Sequence, residues 1–181
     1  MRRTVGLLLS LSLLLAGSAP AAADEEAESE AASQKAASFS GTSNGGIQYA
    51  QGEEVEDGGI ISIPGSAWGI ALSEMSDPRL NGNLRIVLNQ DFHGSQGRVW
   101  SLSTRIDNEL GSWMGTGRGY LDQTRPVPHW SHQALYRGTG AYEGLTAIVF
   151  FDFERPSGYD YHGMVFPGDL PEVPEFPEPA E

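Results

Sequence analysis

A glycine-rich segment that nearly repeats itself, residues 111–153, constrains the fold of this chain more than any other feature. Each copy places Gly-Thr-Gly inside a run that otherwise reads as a β-strand, first at residues 115–117 and again at residues 138–140. Glycine weakens the interior of a strand and usually marks a bulge, a sharp bend or a close backbone approach. Two such copies predict strands that bend around a closed sheet, which is a β-barrel.

The hydrophobic pattern around this segment has a period of two, as in β-strands. Leu84, Ile86 and Leu88 alternate with residues of the opposite face, and similar alternation recurs at residues 99–106 and 145–154. Short segments rich in Gly, Asn, Asp and Pro separate the runs, and no run has the period or the capping residues of a helix. The sequence therefore predicts an all-β fold, a closed antiparallel β-barrel of about eight strands. The predicted strands are residues 39–42, 60–63, 67–75, 84–93, 99–106, 112–122, 132–138, 145–154 and 159–166.

The N-terminus reads as an export signal. Residues 1–23 contain a basic pair, an apolar run at residues 5–16 and the small-residue site Ala21-Ala22-Ala23, so we expect cleavage after Ala23. The general secretory route is favoured over the twin-arginine route, because any signal peptide needs basic residues near its start. No second apolar segment follows and the chain has no cysteine, so we expect a secreted protein with no membrane anchor and no disulfide.

Two segments flank the predicted barrel domain, which comprises residues 38–170. Residues 24–37 are charged and carry no large apolar side chain, so we expect a disordered acidic leader. Residues 171–181 are rich in Pro and Glu, a composition that favours extended polyproline II and predicts a spacer or a stiff strap across the surface.

Net charge excludes one class of partner. Removal of residues 1–23 from the 181-residue chain takes two of the 11 basic residues and none of the 24 acidic ones, which leaves a net charge of −15. Nucleic-acid affinity depends on cations that neutralise phosphates, so a nucleic-acid partner is not expected. A nucleotide cofactor is not expected either, because no helix follows the Gly-rich run at residues 115–119.

The chain resembles a known superfamily in four motifs. These are Met-Ser-Asp-Pro-Arg-Leu-Asn-Gly at residues 75–82, Gly-Ser-Trp-Met-Gly-Thr-Gly at 111–117, Gly-Thr-Gly-Ala-Tyr-Glu-Gly-Leu-Thr-Ala at 138–147 and Gly-Met-Val-Phe-Pro-Gly at 163–168. They resemble a group of uncharacterised bacterial exported proteins that are similar to the allene oxide cyclase and dirigent barrels. The resemblance implies an eight-stranded antiparallel barrel with an apolar cavity, often trimeric in the plant members. It carries none of their catalytic residues onto this sequence.

A tetrapeptide of Asp, aromatic, His and Gly occurs twice. Asp91 and His93 form one pair and Asp160 and His162 the other, and each pair shares one face of its strand. The functional interpretation is two Asp-His pairs that line a cavity, as acid/base groups or metal ligands. The alternative is polar residues on the outer face beside turns. No metal site is predicted, because the His-x-x-His run at residues 129–132 directs its side chains to opposite faces.

An arginine and two tyrosines beside the Gly-Thr-Gly motifs are the other candidate ligand-binding residues. Arg118 and Tyr120 alternate with glycines, and Tyr136 precedes the second motif, so all three are accessible to an anionic head group at a cavity mouth. The alternative places the tyrosines in the core and pairs Arg118 with a surface carboxylate.

The function most consistent with these features is a secreted small β-barrel that binds a small apolar or amphipathic molecule without a metal or cofactor. A barrel enzyme of cyclase or dirigent type is an alternative, in which the cavity shapes a reactive intermediate. An extracellular interaction module without a ligand cavity is another. An enzyme is the less favoured interpretation, because no catalytic motif is present.

Overall fold

The computed structural model describes residues 35–154 and 158–169. All of these residues belong to one compact unit, Ser33–Glu181. The predicted signal peptide, the leader up to residue 34 and the tail at residues 171–181 lie outside the described residues.

The described chain is almost entirely β-structure, as predicted. Ten strands form one antiparallel sheet in the order β1-β10-β9-β8-β7-β6-β5-β4-β2, with β3 paired to β4. A 3-10 turn at Pro78–Leu80 precedes β5, and no described helix has the length and hydrophobicity needed to cross a membrane. The strands are β1 Ala37–Ser43, β2 Ile47–Ala50, β3 Val55–Asp57, β4 Ile60–Leu72, β5 Gly82–His93, β6 Gln96–Asp107, β7 Gly111–Asp122, β8 His129–Gly140, β9 Leu145–Glu154 and β10 Gly158–Pro167.

The sheet is not closed into a barrel, so the predicted closure is not confirmed. Within residues 35–154 and 158–169, no strand ladder joins β1 to β4. One edge of β4 pairs with β5 and the other with β2 and β3, which leaves few of its hydrogen-bonding groups for β1. The segment after β4 bridges the gap instead: the Ser76 N–H donates to the Ser40 carbonyl over 2.8 Å, and the Ser40 N–H donates to Ser76 Oγ over 3.0 Å.

Two of the predicted strands are one strand interrupted by a bulge. Residues 60–63 and 67–75 were expected to be separate strands, but β4 runs from Ile60 to Leu72, and its register with β5 shifts between Ile63 and Ser66. Pro64 has no N–H to donate and Gly65 adopts φ +73°, so the ladder is broken for two residues only. The short strands β2 and β3 were not predicted, because neither is long enough to show alternation.

One face of the curled sheet forms a single hydrophobic core, while the opposite face is exposed. Buried side chains from the first and last strands meet in this core, so the inner face of β1 and β10 packs against that of β4 and β5. Its large members include Phe39, Ile70, Leu84, Ile86, Leu88, Ile106, Trp113, Tyr136, Phe151 and Tyr161. The two ends of the sheet are therefore joined by packing.

The first Gly-Thr-Gly motif marks a close approach of two backbones. Gly115, Gly117 and Gly119 lie on the inner face of β7, and the backbone of β8 lies close to all three. A Cβ at Gly115 would overlap the Leu135 carbonyl oxygen, and one at Gly117 would lie 2.5 Å from the Gln133 carbonyl oxygen. The backbone of β8 occupies the space that side chains at these positions would fill.

Candidate functional site

A cavity of about 510 Å³ opens at one end of the sheet and is the strongest candidate for a functional site. It lies at the ends of β5, β7 and β9, beneath the β1–β2 and β7–β8 connections. We refer to it as the aromatic cavity. Its lining includes Trp68, Phe92, Leu121, Trp130, Phe153 and Tyr159, with the amide side chains of Asn44, Gln90 and Gln123.

Strand register brings the aromatic side chains together. Leu121 lies opposite Trp130, Trp130 opposite Phe153, and Phe153 opposite Tyr159 on four adjacent strands. The Phe153 and Tyr159 rings stack with centroids 4.5 Å apart, and the Trp130 and Tyr159 rings meet edge to face at 6.2 Å. Phe92, on the inward face of β5, lines the opposite side of the cavity. The result is an apolar wall with defined ring planes.

Two indole N–H groups in this wall have no acceptor. Trp68 Nε1 and Trp130 Nε1 are both buried, and neither forms a hydrogen bond with any described residue. A buried donor without a partner costs roughly 1–3 kcal/mol.

His132 lies one inward position deeper than Trp130 on β8. Its side chain is only 2% exposed, and neither ring nitrogen has a hydrogen-bond partner among the described residues. The ring stacks on Phe151 at 4.6 Å and meets the edge of Trp130 at 6.5 Å. Burial lowers the pKa of His132 from 6.5 to about 4, so the imidazole is neutral at physiological pH.

The interior beyond His132 is filled by side chains. A void among the described core residues has a volume of about 10 Å³ and is lined by Leu84, Ile106, Tyr136, Val149 and their neighbours. That volume is at the lower limit for one water molecule. A ligand of the predicted kind would therefore bind in the aromatic cavity and not at the centre of the core.

The candidate residues Arg118, Tyr120 and Tyr136 do not line the aromatic cavity. Arg118 and Tyr120 face outward on β7, and Tyr120 is 51% exposed beside His129. Tyr136 lies in the core, where its hydroxyl shares a 2.8 Å hydrogen bond with Thr104 Oγ1 and burial raises its pKa. The structure thus places Tyr136 in the core and Arg118 on the surface, but gives Arg118 no carboxylate partner among the described residues.

The two Asp-His pairs lie on the outer face, as the alternative interpretation expected. Asp91 accepts hydrogen bonds from Ser62 Oγ at 2.7 Å and from Arg98 at 2.7 and 2.9 Å, and these contacts lower its pKa. His93 is exposed beside it.

The second pair lies far from the first along the sheet. Asp160 and His162 are exposed on β10, and the His162 ring stacks on Phe150 at 5.2 Å. Four strands separate β10 from β5, so the pairs are not adjacent. No group of three or more His, Asp or Glu side chains in the described part of the chain is arranged to hold a metal ion.

Sequence reasoning did not identify the residues that form the cavity. Phe92, Phe153 and Tyr159 were treated only as positions within predicted strands, and no tryptophan was proposed as a site residue. The signal that could have found them is the position of each aromatic residue in its strand. Phe92, Trp130, Phe153 and Tyr159 each lie one residue from the end of a strand and line the cavity.

Comparison of the chain with protein-family models, with curated proteins and with solved structures found no match. These comparisons do not bear on the resemblance to the allene oxide cyclase and dirigent barrels. That relationship stays a prediction.

Proposed function

We propose that this protein is a secreted binding protein that holds a small apolar or amphipathic molecule in the aromatic cavity. The observation that carries the proposal is a cavity of about 510 Å³ walled by five aromatic rings at the open end of a filled core. Pockets for small molecules typically have volumes of about 300–1,000 Å³ and combine apolar walls with a few polar groups. In this proposal the curled sheet is barrel-like, and the cavity lies at its mouth.

The lining favours a flat molecule with at least one hydrogen-bond acceptor. Flat rings or fused aliphatic rings can stack on Trp130 and Tyr159. An acceptor oxygen on such a molecule would accept hydrogen bonds from the amide side chains of Asn44, Gln90 or Gln123 in the lining. The described residues that line the cavity include no Asp, Glu, Lys or Arg, so this part of the lining disfavours a strongly charged ligand.

We expect an environment-sensitive apolar dye to bind saturably to the folded protein, and fatty acids or terpenoids to displace it. Phe92→Ala should weaken dye binding roughly tenfold, since a ring in a binding site commonly contributes about 1–2 kcal/mol. The measurement is a fluorescence titration, repeated with a chelator present.

The matched control is Phe150→Ala, which removes an exposed ring from the outer face of β9. This variant should bind the dye like the unmodified protein. Equal losses in both variants, or no saturable binding by protein shown to be folded, would contradict a site in the aromatic cavity.

Export is the other part of the proposal and has a separate test. When the full chain is expressed in a bacterium, the mature protein should begin at Asp24 and accumulate outside the cytoplasm. N-terminal mass analysis of each cell fraction measures this. An intact Met1 start on all of the folded protein would refute processing after Ala23.

A further inference from the structure

A second concave surface lies on the outer face of the sheet, opposite the aromatic cavity. It has a volume of about 520 Å³ and spans β6 to β9. We call it the outer groove. It is lined by Trp100, Thr116, Arg118, Gln133, Leu135 and Ile148.

Arg118 gives this groove an unpaired positive charge. The other six arginines in the described part of the chain all form ion pairs with aspartates, whereas Arg118 forms none there. The guanidinium of Arg98 lies 5.1 Å from the ring centre of Trp100 beside it. The groove therefore combines an apolar floor with cations, in a protein that is strongly acidic overall.

The end of the described chain is linked to the outer face of β8, the strand that contributes Gln133 and Leu135 to the outer groove. After β10, the Gly168 carbonyl accepts a 2.6 Å hydrogen bond from Thr146 Oγ1 on β9, and Asp169 forms an ion pair with Arg137 on β8. The Gly168 N–H also donates to the Gly144 carbonyl over 2.7 Å, so the backbone lies beside the start of β9, and the Asp169 side chain links it to the outer face of β8. Leu135, which lines the groove, is two residues from Arg137 along the same strand.

The sequence that follows repeats with a period of three. Proline occupies residues 171, 174 and 177, glutamate occupies residues 172, 175, 178 and 181, and Val173, Phe176 and Pro179 form the third set. A polyproline II helix has three residues per turn, so each set would form one edge. Residues 171–181 would then present a proline edge, an acidic edge and an apolar edge.

We propose that residues 171–181 dock in the outer groove as a polyproline II strap. The acidic edge faces Arg118, and the apolar edge packs on Trp100 and Leu135. Aromatic-lined grooves bind such helices because little conformational entropy is lost. Residues 170–181 extend about 37 Å at ~3.1 Å per residue. The path along β8 to Gln133 and across two strands needs only about 25 Å.

The full-length chain allows a direct test because it contains no cysteine. A nitroxide label on Ala180→Cys, which lies on the proline edge, should remove most of the amide NMR signal intensity of Arg118 and Gln133. The amides of β4 on the far side of the sheet should keep their intensity. Loss of the effect at high salt would show that the acidic edge contributes, because salt screens exposed charges.

Two variants of the labelled chain separate specific docking from general attraction. Arg118→Gln should restore most of the lost amide intensity, whereas Arg85→Gln, which removes an exposed arginine paired with Asp107, should not. Uniform signal loss over the surface, or signal loss that persists equally in both variants, would overturn the proposal. So would signal loss on unlabelled molecules mixed with labelled ones, because the strap would then come from a second copy.

Discussion

Replacing Gly117 by alanine is expected to lower the free energy of unfolding by about 3 kcal/mol, since overpacking a tight site commonly costs 1–3 kcal/mol or more. A Cβ at this position would lie 2.5 Å from the Gln133 carbonyl oxygen and would overlap the His132 ring. A carbonyl in a strand ladder cannot move aside without breaking its own hydrogen bonds. Chemical denaturation of the variant and of the unmodified protein measures the difference.

Gly69→Ala is the matched control for this substitution. Gly69 is also inside a strand, but a Cβ there would lie 3.4 Å from the Tyr49 ring, which is an ordinary contact. This variant should change stability by less than about 1 kcal/mol, and removal of a flexible glycine can even stabilise. If neither variant changes the free energy of unfolding, β7 and β8 do not approach each other as closely as described.

Acidification from pH 7 to pH 4 is expected to destabilise the protein by about 3 kcal/mol through His132 alone. Its folded-state pKa is about 4 and its ordinary value is 6.5. Between pH 4 and pH 6.5, the His132 side chain is mostly protonated in the unfolded chain and mostly neutral in the folded chain. Stability is therefore fully present above pH 6.5 and is lost as the pH falls toward 4. Denaturation midpoints across this range measure the loss.

The variant His132→Phe should flatten this pH dependence, because the buried ring then has no proton to gain. His93→Gln, which changes an exposed histidine, should keep the slope of the unmodified protein. The pKa of Asp107 is lowered from 3.8 to about 2, so most of its contribution to stability is lost below pH 4. An unchanged slope in His132→Phe would mean that His132 is not buried as described.

The strand pattern was predictable because alternation is a local property of the sequence. Strands β5 to β10 lie within a few residues of their predicted positions, and the Gly-Thr-Gly motif does mark a close backbone contact. Closure of the sheet was not predictable, because it depends on which strand pairs with the edge of β4 that faces away from β5. The short strands β2 and β3 occupy that edge, and their sequences show no pattern of their own.

The candidate site was less predictable than the fold. The sequence-based site prediction included polar residues such as Arg118 and Asp91, and these residues lie on the outer face. The cavity is instead formed by apolar residues such as Phe92 and Trp130, whose role depends on where each strand ends relative to its neighbours. Only the register across strands shows that these residues surround open space.

The most direct test of the proposed binding site is to record the four indole N–H signals by NMR while an apolar ligand is added. Trp68 and Trp130 line the aromatic cavity, Trp113 donates to the Arg79 carbonyl in the core, and Trp100 lies in the outer groove. We expect the Trp68 and Trp130 signals to shift saturably while those of Trp113 and Trp100 stay in place. Shifts confined to Trp100, or no shift at any of the four, would contradict ligand binding in the aromatic cavity.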